Sequence, residues 1–224
     1  MLERVGDVDL RLASAESLRT HEDMLRWITR QRGRQGAVLA VNAPMIVENT
    51  GGSRPCDRLL QEHFQRFRVD EYTNNIVSSS HPRTIGKGLV RMGFDLDPTA
   101  ESDCLVETHT QAAQVMLFGV DRPVRLKAGP IGARKEAVAR LRDLIGSALM
   151  NAEPRLLAGP ELERLMTAHL PDLNGTRLGE VEERLEALLC AYVAAWLGIH
   201  GLEASAVLGD MNTGYILLPN PQRG

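Results

Sequence analysis

The sequence predicts an α/β domain, and two stretches carry that expectation. A continuous apolar run from Ala37 to Val41 stops at Asn42-Ala43-Pro44 and passes through a polar turn into an amphipathic helix. A second run, Cys104 to Val106, ends in Glu107-Thr108-His109 and again leads into a helical pattern from Ala112 to Leu117. Short apolar runs with β-branched members and no polar alternation are how strands covered on both faces of a sheet read. A chain of 224 residues can bury one large core, so a single domain spanning residues 1–224 is expected.

The elements follow in order. Val8, Leu10 and Leu12 alternate with Asp7, Asp9 and Arg11, the period of a strand with one wet face. Thr20 caps a helix with Glu22 and Asp23 in its first turn and Met24, Leu25, Trp27 and Ile28 on its apolar side. Gln35-Gly36 leads into the Ala37 run. Pro44 cannot join a ladder, which puts Asn42 at the C-terminal end of that strand, the edge where ligands gather in open α/β sheets. Beyond the Glu48–Ser53 loop a helix starts with Pro55 in its first turn, Asp57 near its positive end, and Leu59, Leu60, His63, Phe64 and Phe67 on its buried face. Arg54 and Arg58 flank that helix start, either as surface arginines of a solvated turn or as an anion-binding mouth.

From Arg68 to Gly88 the residues turn polar, and a mobile loop over 68–88 is expected. Leu89, Val90 and Met92 suggest a short helix ending at Gly93. Arg122, Arg125, Lys127, Arg134 and Lys135 cluster in a Pro/Gly-rich stretch, with Arg140 and Arg142 on a helix reaching about Met150. They read as a phosphate-tracking surface or as a solvated helix face, with no interleaved aromatics for base stacking. Residues 151–177 are broken by prolines and glycines and are expected to form a helical cap, with one helix from Glu161 to Leu170. The longest helix runs from Gly179 to about His200, acidic at first (Glu180, Glu182, Glu183, Glu186) and then apolar nearly all round. The helix dipole favours acids there, while Glu183 and Glu186, three apart, can also face one point. Ser205–Leu208 and Tyr215–Leu218 read as two strands around a turn in which Asp210 bonds locally.

The composition, 43% hydrophobic and 25% charged, is ordinary for a globular chain, and a net charge of −3 excludes bulk attraction to nucleic acid. Any such contact needs a local basic surface. Cys56, Cys104 and Cys190 are too far apart for a disulfide framework or zinc knuckle, and Cys190 sits in an apolar helical run as core packing. No window approaches the roughly 20 apolar residues of a membrane span, and MLERVGDVDLRL has no signal-peptide core, so no membrane partner and a reducing, cytoplasmic setting are expected.

VNAPMIVENTGGSRPCD resembles the hallmark of the domain-of-unknown-function 429 family, predicted nucleases with a ribonuclease-H-like fold, in which a strand ending Ile-Asp-Ala-Pro precedes a Gly-x-Arg-x-Cys-(Asp/Glu) turn. VETHTQAAQVMLFG at Val106–Gly119, the basic run Arg125–Arg140, EALLCAYVAAW at Glu186–Trp196 and GDMNTGYILLP at Gly209–Pro219 agree in order and spacing. The resemblance implies a ribonuclease-H-like mixed sheet with helices on both faces. It also implies two Mg²⁺ or Mn²⁺ ions held by carboxylates from strand ends and a helix, on either side of a phosphodiester. Residue by residue, it nominates Glu107, Glu186 and Asn42 as catalytic, Glu107, Glu186 and Glu183 as metal ligands, and Arg54, Arg58, Lys127 and Arg134 as substrate contacts.

Two departures matter. The family's leading Gly-Ile-Asp strand has no counterpart ahead of the first strand here, so the fold is expected in N-terminally truncated form, or its start upstream of Met1. The uncovered sheet edge would invite pairing with another copy of the chain. The family's Asp before Ala-Pro is Asn42, a neutral amide that cannot supply a carboxylate's charge to a divalent ion. The functional expectation is therefore an impaired or inactive metal-dependent nuclease, with a non-catalytic nucleic-acid- or protein-binding module as the alternative. A phosphoryl-transfer reading has no Walker-type Gly-rich loop to support it.

Overall fold

The computed structural model describes residues 1–33, 36–100 and 103–223, a mixed α/β arrangement of seven α-helices and small sheets. The Gln35-Gly36 turn expected before the first buried strand lies partly outside the described residues. Among the described residues, three small sheets stand where one mixed sheet was expected. Strands β1 (Leu2–Val5) and β2 (Asp9–Leu12) form an antiparallel hairpin, and β2 pairs in parallel with β5 (Arg155–Leu157). Strands β3 (Val38–Val41) and β4 (Cys104–Glu107) pair in parallel, Val41 opposite Glu107. Strands β6 (Ser205–Asp210) and β7 (Gly214–Pro219) form an antiparallel ribbon.

Helix α1 (His21–Gln31) starts as expected, with the Thr20 side chain accepting from the Asp23 N–H. Helix α2 (Pro55–Phe64) has Pro55 in its first turn, where a missing N–H costs nothing. The expected 68–88 loop is helical in its second half, because α3 spans Ser80–Arg91 and places Pro82 in its first turns. The first half is tied down: Val69 is buried, Asp70 and Gln111 exchange two hydrogen bonds, and Asn74 donates to Asp57. Helices α4 (Thr110–Phe118) and α5 (Ile131–Leu144) follow, the latter running on as a π-helical turn to Leu149. The 151–177 cap contains α6 (Pro160–Thr167) and also β5, a strand too short to show a period.

Helix α7 (Gly175–His200) is the hub, packing on β1, β3, β7, α4, α5 and α6. Leu178, Leu185, Leu189 and Tyr192 join Leu10, Leu141 and Leu156 in one core cluster. Val193 and Leu197 join Val106, Leu60 and Leu217 in a second. Leu105 points from β4 into a third, with Ile28, Leu89 and Phe94. Strand β4 is therefore covered on both faces, as its unbroken apolar run requires, and Leu105 also bonds Asp95 on the side away from β3.

In the turn between β6 and β7, Asp210 accepts from the Asn212 and Thr213 N–H groups, the local role its position suggested. Gly214 opens β7 with φ +101°, and a Cβ there would lie 2.6 Å from the Ile46 carbonyl and 3.0 Å from the Arg54 guanidinium. Gly214→Ala is expected to lower unfolding stability by about 1–3 kcal/mol in urea denaturation, since left-handed strain and a backbone clash act together. An unchanged midpoint would show that β7 can shift away from the Arg54 loop.

Candidate functional site

The C-terminal ends of β3 and β4 lie side by side, and the chain leaves them in different directions. Asn42 turns to the start of α4, where its amide donates to Thr110 Oγ1 (3.1 Å) and accepts from the Thr110 N–H. Glu107 turns instead toward the loop ahead of α2, accepting from the Met45 N–H at 2.9 Å. There it meets Arg54, whose side chain is 0% exposed.

Every donor on the Arg54 guanidinium is used. Nη1 donates to Glu107 Oε2 (2.8 Å) and the Ile46 carbonyl (2.9 Å), and Nη2 to Glu107 Oε1 (2.5 Å) and Asp57 Oδ1 (2.8 Å). Nε donates to Asp57 Oδ2 (3.1 Å), completing the five N–H groups a guanidinium carries. Asp57 also accepts from the Arg54 backbone N–H and from Asn74, at the positive end of α2, where the dipole favours the surplus negative charge. Burial pushes the Glu107 carboxyl up, against the pull of its bonds to Arg54. Burial by itself would lower the Arg54 pKa, but Glu107 and Asp57 raise it further above its ordinary value. The helix-start arginine thus serves neither as a surface residue nor as an anion mouth: it is the interior partner of two carboxylates. Arg58 is exposed and donates to the Ser53 carbonyl.

A polar cleft of about 490 Å³ opens beside Asn42. It is lined by Asn42 from the end of β3, Asp70 and Tyr72 from the 68–79 segment, Thr110, Gln111 and Gln114 on α4, Lys127, and Glu186 and Cys190 on α7. Of the nominated catalytic residues, Asn42 and Glu186 share this cleft, and Glu107 is absent from its lining. Lys127 Nζ donates to Glu186 at 2.6 Å. Three of the four acids in the first half of α7 part company, as 100° per residue dictates. Glu183 is exposed, Glu186 reaches the cleft, and Glu182 is fully buried, held by Arg134 and by the Lys127 N–H. Burial would raise the Glu182 pKa, but those two partners hold it below the usual carboxylate range. Arg134 and Lys127 are therefore occupied within the molecule.

The nominated metal ligands do not fit an ion as they stand. Both Glu107 oxygens face Arg54, Glu186 faces Lys127, and among the described residues no three His, Cys, Asp or Glu side chains converge on a point. Cysteine chemistry is disfavoured too: Cys190 is buried, with its thiol pushed up to about 12, and burial pushes Cys56 to about 12 and Cys104 to about 11. Sequence reasoning missed Asp70, Tyr72, Gln111 and Gln114; a lone aromatic in the polar 68–79 stretch was the one available signal for Tyr72. No family model, no curated protein and no solved structure matches the chain. Among the described residues no helix is long and apolar enough to cross a membrane.

His109 is the N-cap of α4, its Nδ1 accepting from the Ala112 N–H at 3.3 Å, and it is 4% exposed. Burial lowers its pKa, so the folded protein resists a proton that the unfolded chain accepts near pH 6.5. Its contribution to stability is complete above about pH 6.5 and declines as the pH falls below that value. The decline is expected to flatten in His109→Asn, which keeps a capping oxygen without titrating, when melting temperatures are compared from pH 7.5 to about 5. Arg54→Met leaves two buried carboxylates unpaired and is expected to cost about 3–5 kcal/mol in the same measurement at pH 7.

Proposed function

We propose that the chain is a non-catalytic nucleic-acid-binding module, which keeps part of the likeness to predicted nucleases without their metal chemistry. The observation that carries this reading is the pairing of Glu107 with Arg54. A carboxylate that accepts two hydrogen bonds from a fully buried guanidinium cannot also neutralise a divalent ion without stranding that guanidinium in the interior. The other strand-end position, Asn42, is an amide already engaged by Thr110, and the two carboxylates that line the cleft, Glu186 and Asp70, are matched by Lys127 and Arg125. The cleft offers amides, a hydroxyl, a phenol and two carboxylates that are each paired with a cation, groups that hold a polar ligand by hydrogen bonds.

Nucleic acid is preferred over a protein partner because the Arg122–Arg140 region and Arg68 give an otherwise acidic molecule a local basic surface beside that cleft. The test is twofold. Neither Mn²⁺ nor EDTA is expected to shift the melting temperature, since a bound ion would stabilise the folded state in proportion to its occupancy. A labelled oligonucleotide incubated with Mg²⁺ or Mn²⁺ is expected to stay intact. Metal-dependent cleavage that disappears in Glu186→Gln would overturn the non-catalytic reading and restore hydrolysis; Glu186 is partly exposed, so that variant does not depend on the Arg54 network.

A further inference from the structure

We propose that a groove on the far side of the Val124–Lys127 strap binds the phosphates of a single-stranded nucleic acid, whose base enters the Asn42–Glu186 cleft. This rests on the nucleic-acid reading above and adds where the backbone runs. The groove encloses about 450 Å³ between three segments, the turn after α2, the strap and one face of α5. Arg68, Arg122, Arg125 and Arg140 line it against a single acid, Glu136, with Phe67 at its wall.

Most cations elsewhere in the basic region are spent within the molecule: Lys127 on Glu186, Arg134 on Glu182, Lys135 on the Pro171 carbonyl. Arg68, Arg122 and Arg140 are exposed and make no ion pair among the described residues. Three stretches of the chain thus bring arginines without an ion-pair partner into the lining of one concavity, in a protein whose net charge is −3. Repulsion between them is relieved by a multivalent anion, and planar N–H forks suit phosphate oxygens.

The walls are built to hold position. Gln114 brackets Val124 by donating to its carbonyl (3.2 Å) and accepting from its N–H (2.8 Å). Arg125 donates to the Arg68 carbonyl at 2.6 Å and pairs with Asp70 at 3.0 Å, joining groove to cleft. Arg68 is fixed in the left-handed region at φ 56°. Val124 lines both hollows, so they adjoin across the strap. A backbone in the groove can send a base across the strap only if that base is unstacked, which favours a single strand over a duplex. Tyr72, 45% exposed in the cleft, presents a ring on which a base of any sequence can stack.

The test is fluorescence anisotropy with a labelled single-stranded oligonucleotide of about twelve nucleotides, titrated at several salt concentrations in EDTA. With three arginines engaged, the logarithm of affinity should fall against the logarithm of salt with a slope of about −2. The pair Arg122→Glu and Arg140→Glu should weaken binding about tenfold or more and cut that slope by more than half, whereas Arg4→Glu with Arg30→Glu, an equal charge change on exposed residues elsewhere, should retain tighter binding than the groove pair. Equal loss in the two pairs would overturn the groove proposal as a bulk charge effect. Binding that survives the groove pair but is lost in Tyr72→Ala would overturn it while leaving the nucleic-acid reading standing. No binding by the wild-type chain would overturn both, and a phosphoserine peptide competing as well as the oligonucleotide would reassign the groove to another anion.

Discussion

A single buried guanidinium governs the arrangement around the strand ends. Arg54 ties the first turn of α2 to the last residue of β4 and to the Ile46 carbonyl of the connecting loop through five side-chain hydrogen bonds, four of them within its two ion pairs. A guanidinium stays charged under any physiological condition, so enclosing it demands carboxylates close by and in the right plane. Asp57 and Glu107 meet that demand, and in doing so they cease to be available for anything else. The cost of enclosure is met by complete satisfaction of every donor, which also fixes the loop between β3 and α2 in one shape.

That constraint explains why the cleft is polar without being strongly charged. Its acids are matched: Glu186 by Lys127, Asp70 by Arg125 and Gln111. Two of its neutral groups, Asn42 and Thr110, come from a strand end and a helix start, where side chains compete for backbone partners. A cleft so balanced presents hydrogen-bonding groups and shape with little net charge.

Helix α7 distributes the remaining charge. Its acidic first half sends Glu182 inward to hold Arg134 and the strap, Glu186 into the cleft, and Glu183 to solvent. Its apolar second half then joins two of the three core clusters. Because the strands are only three to six residues long and divide among three sheets, this helix supplies continuity that one large sheet would otherwise provide.

The linear order of residues was enough to locate the strands at Val38–Val41, which is only half-buried where full cover was expected, and at Cys104–Glu107, which is buried throughout, together with the Thr20 cap, the Pro55 helix start and the final ribbon, because each is written in local periodicity or backbone chemistry. It could not separate the three sheets, reveal the three-residue β5, or start α3 at Ser80, since pairing partners and weak helix signals are settled by distant contacts. The site divides in the same way. Asn42 at a strand end and Glu186 on a long helix were legible as polar residues in suggestive places. That Arg54 lies inside the protein facing Glu107, and that Arg68 shares a groove with Arg140, was decided by packing alone, because a side chain's charge is a property of its residue type while its partner is a property of the folded chain.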